Sequence, residues 1–220
     1  MTETLHTLPP LAAGTRALVL GLGRTGLSAA RYLDRKGLTV RAADTRANPP
    51  GVAALREKVP AAELRTGAFD SSLLDGVAQV VISPGLSLQE PVVREALERG
   101  LPVVGDIELF ARVAQAPIAA VTGTNGKSTV TTLVAELAIA GGQRAVAGGN
   151  LGEPALDLLA RATPDLYVLE LSSFQLETTY SLRTVAATVL NVTPDHMDRY
   201  ASLEEYGAAK AASSTAAPSP

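Results

Sequence analysis

Two glycine-rich stretches hold the residues best suited to chemistry. "VTGTNGKST", residues 121–129, sets Gly126, Lys127 and Ser128 in the order of a phosphate-binding loop. Such a loop aims backbone amides at phosphate oxygens, extends a lysine to the β- and γ-oxygens and offers a hydroxyl to Mg2+. The candidate contacts are Gly123, Thr124, Asn125, Gly126, Lys127, Ser128 and Thr129. The usual pattern has a further glycine five residues before Gly126; Val121 stands there, so the loop is a shortened variant. An unliganded glycine turn is the bland alternative. The second stretch, "VLGLGRTGLS" at 19–28, carries Gly21, Gly23 and Gly26 in G-x-G-x-x-G order. There the first glycine permits a tight turn, the second admits an anion to the backbone, and the third lets a helix pack closely. Asp44, 18 residues past Gly26, falls where dinucleotide enzymes place a ribose-binding acid. On these residues alone, NAD or FAD binding and a merely structural turn both stay open.

A phosphate loop that works with a metal needs an acid nearby. Glu170 closes the apolar run "LYVLE", and a carboxylate buried there is costly unless it faces a cation. It is the candidate metal ligand; a sheet-rim acid paired to Arg or Lys is the alternative. "NVTPDHMDRY" (191–200) follows another apolar run and groups Asp195, His196 and Asp198. His196 there is either a metal or substrate contact or an ordinary exposed histidine.

These residues require elements to hold them. Apolar runs at 16–22, 38–44, 77–85 and 101–106 read as strands, with helices at 25–36 and 90–99 between them. The first helix is expected to bury Leu27, Ala30, Leu33 and Leu38 and to stop at Gly37. A second set has strands at 116–123, 165–173 and 184–193, and helices at 127–142 and 202–212. The last helix is expected to start on a Ser202 cap with Glu205 at the reciprocal position. Strand–helix alternation predicts parallel sheets covered by helices. The expected architecture is α/β. A Rossmann-like parallel-sheet N-terminal domain spans 1–106, an incomplete P-loop-type ATPase α/β domain spans 107–212, and a low-complexity tail spans 213–220.

Composition narrows the classes. The chain is 46% hydrophobic, enough to build a core, and its net charge of −3 argues against nucleic acid or an anionic membrane as principal partner. It has no cysteine, which excludes disulfides, thiolate metal sites and a cysteine nucleophile. "MTETLHTLPP" lacks the layout of a signal peptide, and no apolar run approaches the ~20 residues of a membrane helix. A cytoplasmic protein is the expectation.

Taken together, "GLGRTGLS", "ADTR", "ISPGL", "VTGTNGKSTVTTL", "GGNLGEPAL", "ELSSFQLE" and "NVTPDHMDRY" resemble the Mur ligases, in the wording of the D-glutamate-adding branch, over roughly residues 14–210. The resemblance implies that the first turn grips the pyrophosphate of a UDP-sugar and the second grips ATP with Mg2+. Implied substrates are UDP-N-acetylmuramoyl-L-alanine and D-glutamate, joined through an acyl phosphate in peptidoglycan precursor synthesis. Implied roles follow by position. Lys127 holds the β/γ-phosphates; Ser128 and Glu170 hold one Mg2+; His196 holds a second. Lys210 in "EYGAAK" matches a lysine that the family carbamylates into a metal ligand; on its residues alone it reads as an exposed helix lysine. Leu22, Arg24, Thr25, Asp44, Thr45, Arg46, Ser83, Gly85 and Asn150 match the UDP-sugar region. Gln175 and Asp195 match the muramoyl or alanyl end. A monomer is expected. The family is about twice as long and has three domains, whereas here the helix of Lys210 runs into "AASSTAAPSP". The sequence therefore also admits a fragment that binds UDP-sugar and nucleotide without turnover, with an uncovered edge and apolar face in its second domain.

Overall fold

A computed structural model describes residues 11–211. The stretches "MTETLHTLPP" and 213–220 singled out above lie outside the described residues. The chain divides after Asp106 into two compact units.

The first unit is built on a five-stranded parallel sheet. Its strands are β1 (Arg16–Leu20), β2 (Thr39–Asp44), β3 (Glu63–Thr66), β4 (Val77–Ile82) and β5 (Val103–Val104), in the order β3-β2-β1-β4-β5. Helices α1 (Arg24–Arg35), α2 (Val52–Lys58) and α3 (Pro91–Glu98) make the crossovers with a short 3-10 turn at Ser71–Leu74. β1 and β4 are nearly continuous apolar runs, as strands of a sheet covered on both faces must be.

The buried face of α1 is Gly26, Ala29, Ala30 and Leu33, and Leu27 is only half-buried. Of the four residues expected to be buried, Ala30, Leu33 and Leu38 are, and Leu27 alone is not. Ser28 and Tyr32 are buried too, and Gly26 lets the helix lie against the glycine turn. A Cβ on Gly26 would stand 1.8 Å from the Gly21 carbonyl oxygen. β5 is shorter than expected because Asp106 already begins α4 (Asp106–Ala111).

The second unit carries a four-stranded parallel sheet. Its strands are β6 (Ile118–Thr122), β7 (Ala145–Gly149), β8 (Leu166–Glu170) and β9 (Ala186–Val189), in the order β7-β8-β6-β9. Helix α5 (Lys127–Ala140) follows the phosphate loop, and short helices α6 (Ala155–Leu158) and α7 (Ser173–Leu176) follow β7 and β8. The final helix, α8 (Leu203–Ala211), has the expected cap: Glu205 N donates to Ser202 Oγ at 3.1 Å. The Glu205 carboxylate reaches back one residue further than expected, accepting from Ala201 N at 2.8 Å.

β9 is an edge strand with all four residues exposed, and Leu133, Leu137 and Ile139 of α5 are exposed too. Among the described residues no helix is long and apolar enough to cross a membrane.

Candidate functional site

In the first unit, strand order reverses between β1 and β4, and the loops after their carboxyl ends meet there. This is where open α/β sheets bind ligands. Gly21 turns off β1 in the left-handed region, and the Ser83 hydroxyl donates to its carbonyl at 2.9 Å. Gly23 starts α1 with no side chain bonded to the helix N-terminus, no acid in the first turn, and open space where a Cβ would stand. A helix N-terminus that opens on a gap is an arrangement that accepts an anion.

The side chains around this turn sort into two groups. Arg24, Thr45, Arg46 and Gly85 are exposed, and Thr25 and Ser83 are half-buried. Leu22 and Asp44 are buried and already engaged. The Leu22 N–H donates to Asp44 Oδ2 at 2.7 Å, and its carbonyl accepts from Gly51 N at 3.1 Å. Asp44 also takes Arg46 N at 2.9 Å, Arg46 Nε at 2.8 Å and Arg46 Nη2 at 2.6 Å. Those four donors fill the acceptor sites of one carboxylate. Asp44 is therefore no open ribose acceptor in this state. It clamps the glycine turn to the residue that follows β2. The Arg46 side chain, then the Leu22 and Arg46 amides, hold its pKa down at about 2 against the opposing effect of burial.

In the second unit the phosphate loop leaves the carboxyl end of β6, and β8 beside it delivers Glu170. Ser128 Oγ donates to Glu170 Oε2 at 2.7 Å, and Asn150 Nδ2 donates to Oε1 at 2.6 Å. Asn150 reaches Glu170 because Gly149 adopts φ +100° and ends β7 against it; a Cβ there would lie 2.5 Å from the Glu170 carbonyl oxygen. The structure thus places Asn150 in the second unit, on the acid of the phosphate loop. Glu170 is 2% exposed, and among the described residues no Lys or Arg pairs with it. The rim-acid alternative therefore loses its partner.

The Ser128 hydroxyl and this carboxylate fit Mg2+. Both are oxygen donors in contact, and Mg2+ in phosphate sites takes one or two protein oxygens and fills the rest with phosphate and water. Among the described residues no cluster of three or more His, Asp or Glu is poised for a metal.

Lys127 folds onto its own loop: Nζ donates to Gly123 O at 3.0 Å and to Thr124 O at 2.8 Å. α5 begins at Gly126 without a side-chain cap or an acid in its first turn. Lys210 is not the exposed helix lysine that its sequence suggests. It is 1% exposed, sits 4.2 Å from the Tyr206 ring centroid and donates to Gly123 O at 3.0 Å. Burial holds its ammonium below the ordinary lysine range, and the Lys127 charge pushes the same way, against Tyr206 and Asp195. As an ammonium it only donates, so the metal role implied for it belongs to the carbamate and not to this form.

His196 is exposed and has φ 55°, in the left-handed region that a non-glycine residue enters at a cost. Asp195 holds it from both sides, accepting from His196 N at 2.9 Å and lying 3.6 Å from Nε2. The Phe174 ring lies 4.8 Å away. Gln175 is 2% exposed; its side-chain oxygen accepts from Ser172 N at 3.1 Å, completing a capping box on α7. Its carboxamide oxygen is thus spent on the turn after β8. Tyr206, Phe174 and Asn191 touch these groups and were not singled out from the sequence. Aromatic and amide side chains carry no signature until the fold brings them to the loop.

Comparison with known proteins agrees with this arrangement. Residues 15–105 match the Mur ligase MurD-like N-terminal domain and residues 121–214 match the Mur ligase middle domain. The chain belongs to the Mur ligase family. It is 56% identical over 204 residues to the UDP-N-acetylmuramoylalanine–D-glutamate ligase of Nitrosococcus oceani, covering 93% of this chain and 45% of that protein. It is 54% identical over 193 residues to the ligase of that name from Pseudomonas aeruginosa, covering 88% of this chain and 43% of that one. The chain thus spans somewhat under half the length of these relatives. Among solved structures, a UDP-N-acetylmuramate:L-alanyl-γ-D-glutamyl-meso-diaminopimelate ligase from Neisseria meningitides shares the fold. It superposes with a TM-score of 0.60 at 20% identity, covering 94% of this chain and 70% of that one.

Proposed function

We propose that this chain supplies the UDP-sugar and nucleotide sites of an ATP-dependent ligase that adds D-glutamate to UDP-N-acetylmuramoyl-L-alanine in peptidoglycan precursor synthesis, in the cytoplasm. The observation that carries the reading is the contact between Ser128 and Glu170 beside the Lys127 loop, on a chain that also bears an uncapped glycine turn.

In this reading the first turn holds the UDP pyrophosphate on the amides that begin α1. Arg24, Thr25, Thr45, Arg46, Ser83 and Gly85 border it, and Asp44 and Leu22 keep it in shape. The second loop takes ATP. Its amides and Lys127 face the phosphate oxygens, where charge must be neutralised for the γ-phosphoryl group to move to the alanyl carboxylate. Ser128 and Glu170 hold Mg2+, which supplies further neutralisation. Asn150 keeps the Glu170 carboxylate turned toward Ser128. His196 and Asp195 stand at the acceptor end, and carbamylated Lys210 joins them. The D-glutamate amine then attacks the acyl carbon, and the amide bond forms as the acyl–oxygen bond breaks and inorganic phosphate leaves. That step depends on alignment, worth roughly 7–11 kcal/mol in well-ordered intramolecular reactions.

ADP release by this chain with UDP-N-acetylmuramoyl-L-alanine, ATP and D-glutamate tests the reading. D-Glutamate-dependent release supports a ligase. Saturable UDP-sugar and ATP binding without release supports a binding module. NAD bound more tightly than the UDP-sugar sinks both.

A further inference from the structure

The geometry points to Asn191 as the positioning residue of the shortened phosphate loop: its carboxamide pins the Thr124–Asn125 peptide, so that phosphate is met by the amides of residues 126–129. The inference rests on the nucleotide reading above and adds to it which amides do the work and what holds them.

Asn191 lies just beyond β9, the strand beside β6. Its Oδ1 accepts from Asn125 N at 2.9 Å and shares Thr124 N, at 3.0 Å, with the Asn191 backbone carbonyl, also at 3.0 Å, while Nδ2 donates to Asn125 O at 3.1 Å. An oxygen facing two N–H groups and an NH2 facing a carbonyl fix the orientation of the amide. The neighbours of Asn191 extend the clamp. Leu190 N donates to Thr122 O at 2.9 Å, and the Leu190 side chain fills the space above Gly123, where an added Cβ would meet it at 3.1 Å. Thr193 N donates to Thr124 Oγ1 at 3.1 Å, and that hydroxyl lies 3.2 Å from Thr193 O.

The sequence explains why outside support is needed. A loop with the earlier glycine has an extra turn of its own backbone around the phosphate. Here that position is Val121, a buried β6 residue, so the chain goes from strand to helix with little backbone to spare. A side chain from the next strand does the bracing instead. The consequence is a division of labour. The Thr124 and Asn125 amides already have acceptors, and recruiting them to phosphate would break the clamp. The amides from Gly126 onward begin α5 with no side-chain acceptor and remain available. The same strap reaches His196 five residues later, so loop and histidine share one support.

Amide exchange and an ATP titration by 15N NMR on the 220-residue chain test this. In the wild type, ATP is expected to shift the 126–129 amides most, with Thr124 and Asn125 still protected from exchange. Asn191→Ala is expected to raise exchange at Asn125 at least ~10-fold without nucleotide, Thr124 N keeping the backbone carbonyl of residue 191, and to weaken ATP binding about 10-fold. UDP-N-acetylmuramoyl-L-alanine affinity should stay unchanged. Asn191→Asp keeps the side-chain acceptor and is expected to keep Asn125 protected. Unchanged exchange at Asn125 in Asn191→Ala would overturn the inference, as would loss of Asn125 protection when ATP binds the wild type. Should Asn191→Ala not fold, the Asp variant and the wild-type titration decide the matter. ATP shifts absent throughout the wild-type loop would refute the nucleotide reading, while nucleotide-free exchange still judges the clamp.

Discussion

Lys127 and Lys210, 83 residues apart in sequence, donate to one oxygen, the Gly123 carbonyl, each at 3.0 Å. Two ammonium groups sharing an acceptor repel each other, and the repulsion is felt where one of them is buried. Lys127 has a half-buried stem at the loop mouth and can leave; Lys210, 1% exposed, cannot. Phosphate binding would draw Lys127 away and leave Gly123 to Lys210 alone. On the proposed ligase reading, Lys127→Ala in a protein of the relatives' length should abolish turnover while UDP-sugar affinity stays nearly unchanged. A variant retaining more than about a tenth of the activity, a loss under roughly 1.4 kcal/mol, would remove Lys127 from this role.

Glu170→Gln isolates the metal. The substitution keeps an acceptor for the Asn150 amide, sheds the negative charge and leaves the β8 backbone alone. Mg2+-dependent ATP binding should weaken more than binding measured in excess chelator. Equal losses under the two conditions would make Glu170 a structural acid.

Asp44 sets an acid limit on the first unit. Its folded pKa of about 2 lies below the 3.8 of an ordinary aspartate. A depressed carboxylate contributes stability that is complete above its unfolded pKa and lost as pH falls through the folded one. The window is therefore about pH 4 down to about pH 2, and the contribution is about 2 kcal/mol. Asp44→Asn should lower stability at neutral pH by about that amount and flatten the decline across the window. Denaturant midpoints measured at stepped pH would show it, and a variant with the wild-type acid slope would contradict it.

The parts of this molecule most legible in the sequence are those where backbone chemistry demands particular residues. The glycine turns, the lysine and hydroxyl that follow the second of them, and Glu170 at a strand end could each be read because few other residues fit. β7 escaped notice because "AVAGG" lacks the branched and aromatic residues that mark a strand. Helix periodicity marks Ala30, Leu33 and Leu38 as buried but not Gly26, whose place against the glycine turn depends on having no side chain. Lys210 read as an exposed residue because α8 is short and mixed in character, and only the fold lays Tyr206 and Gly123 around its ammonium. Asn191 could be recognised only once β9 was placed beside β6.

The two later glycines of the first turn should separate binding from folding. Gly26 is a packing glycine: a methyl group there meets the Gly21 carbonyl carbon at 2.9 Å and its oxygen closer still, and neither backbone atom can swing aside. Overpacking of well-filled sites costs about 1–3 kcal/mol and more where backbone must move. Gly26→Ala should therefore cost at least about 3 kcal/mol and separate α1 from β1. Gly23 differs in kind. Its φ is −84°, ordinary for any residue, and nothing lies within 4 Å of the added methyl. Gly23→Ala should change stability by about 1 kcal/mol or less, the size of an N-cap effect. The methyl would occupy the gap through which a pyrophosphate reaches the first amides of α1. UDP-N-acetylmuramoyl-L-alanine affinity should thus fall at least ~10-fold in Gly23→Ala while thermal unfolding barely moves. Full affinity in that variant would show that the ligand does not enter over Gly23, and the pyrophosphate would have to be sought elsewhere along the carboxyl ends of β1 and β4.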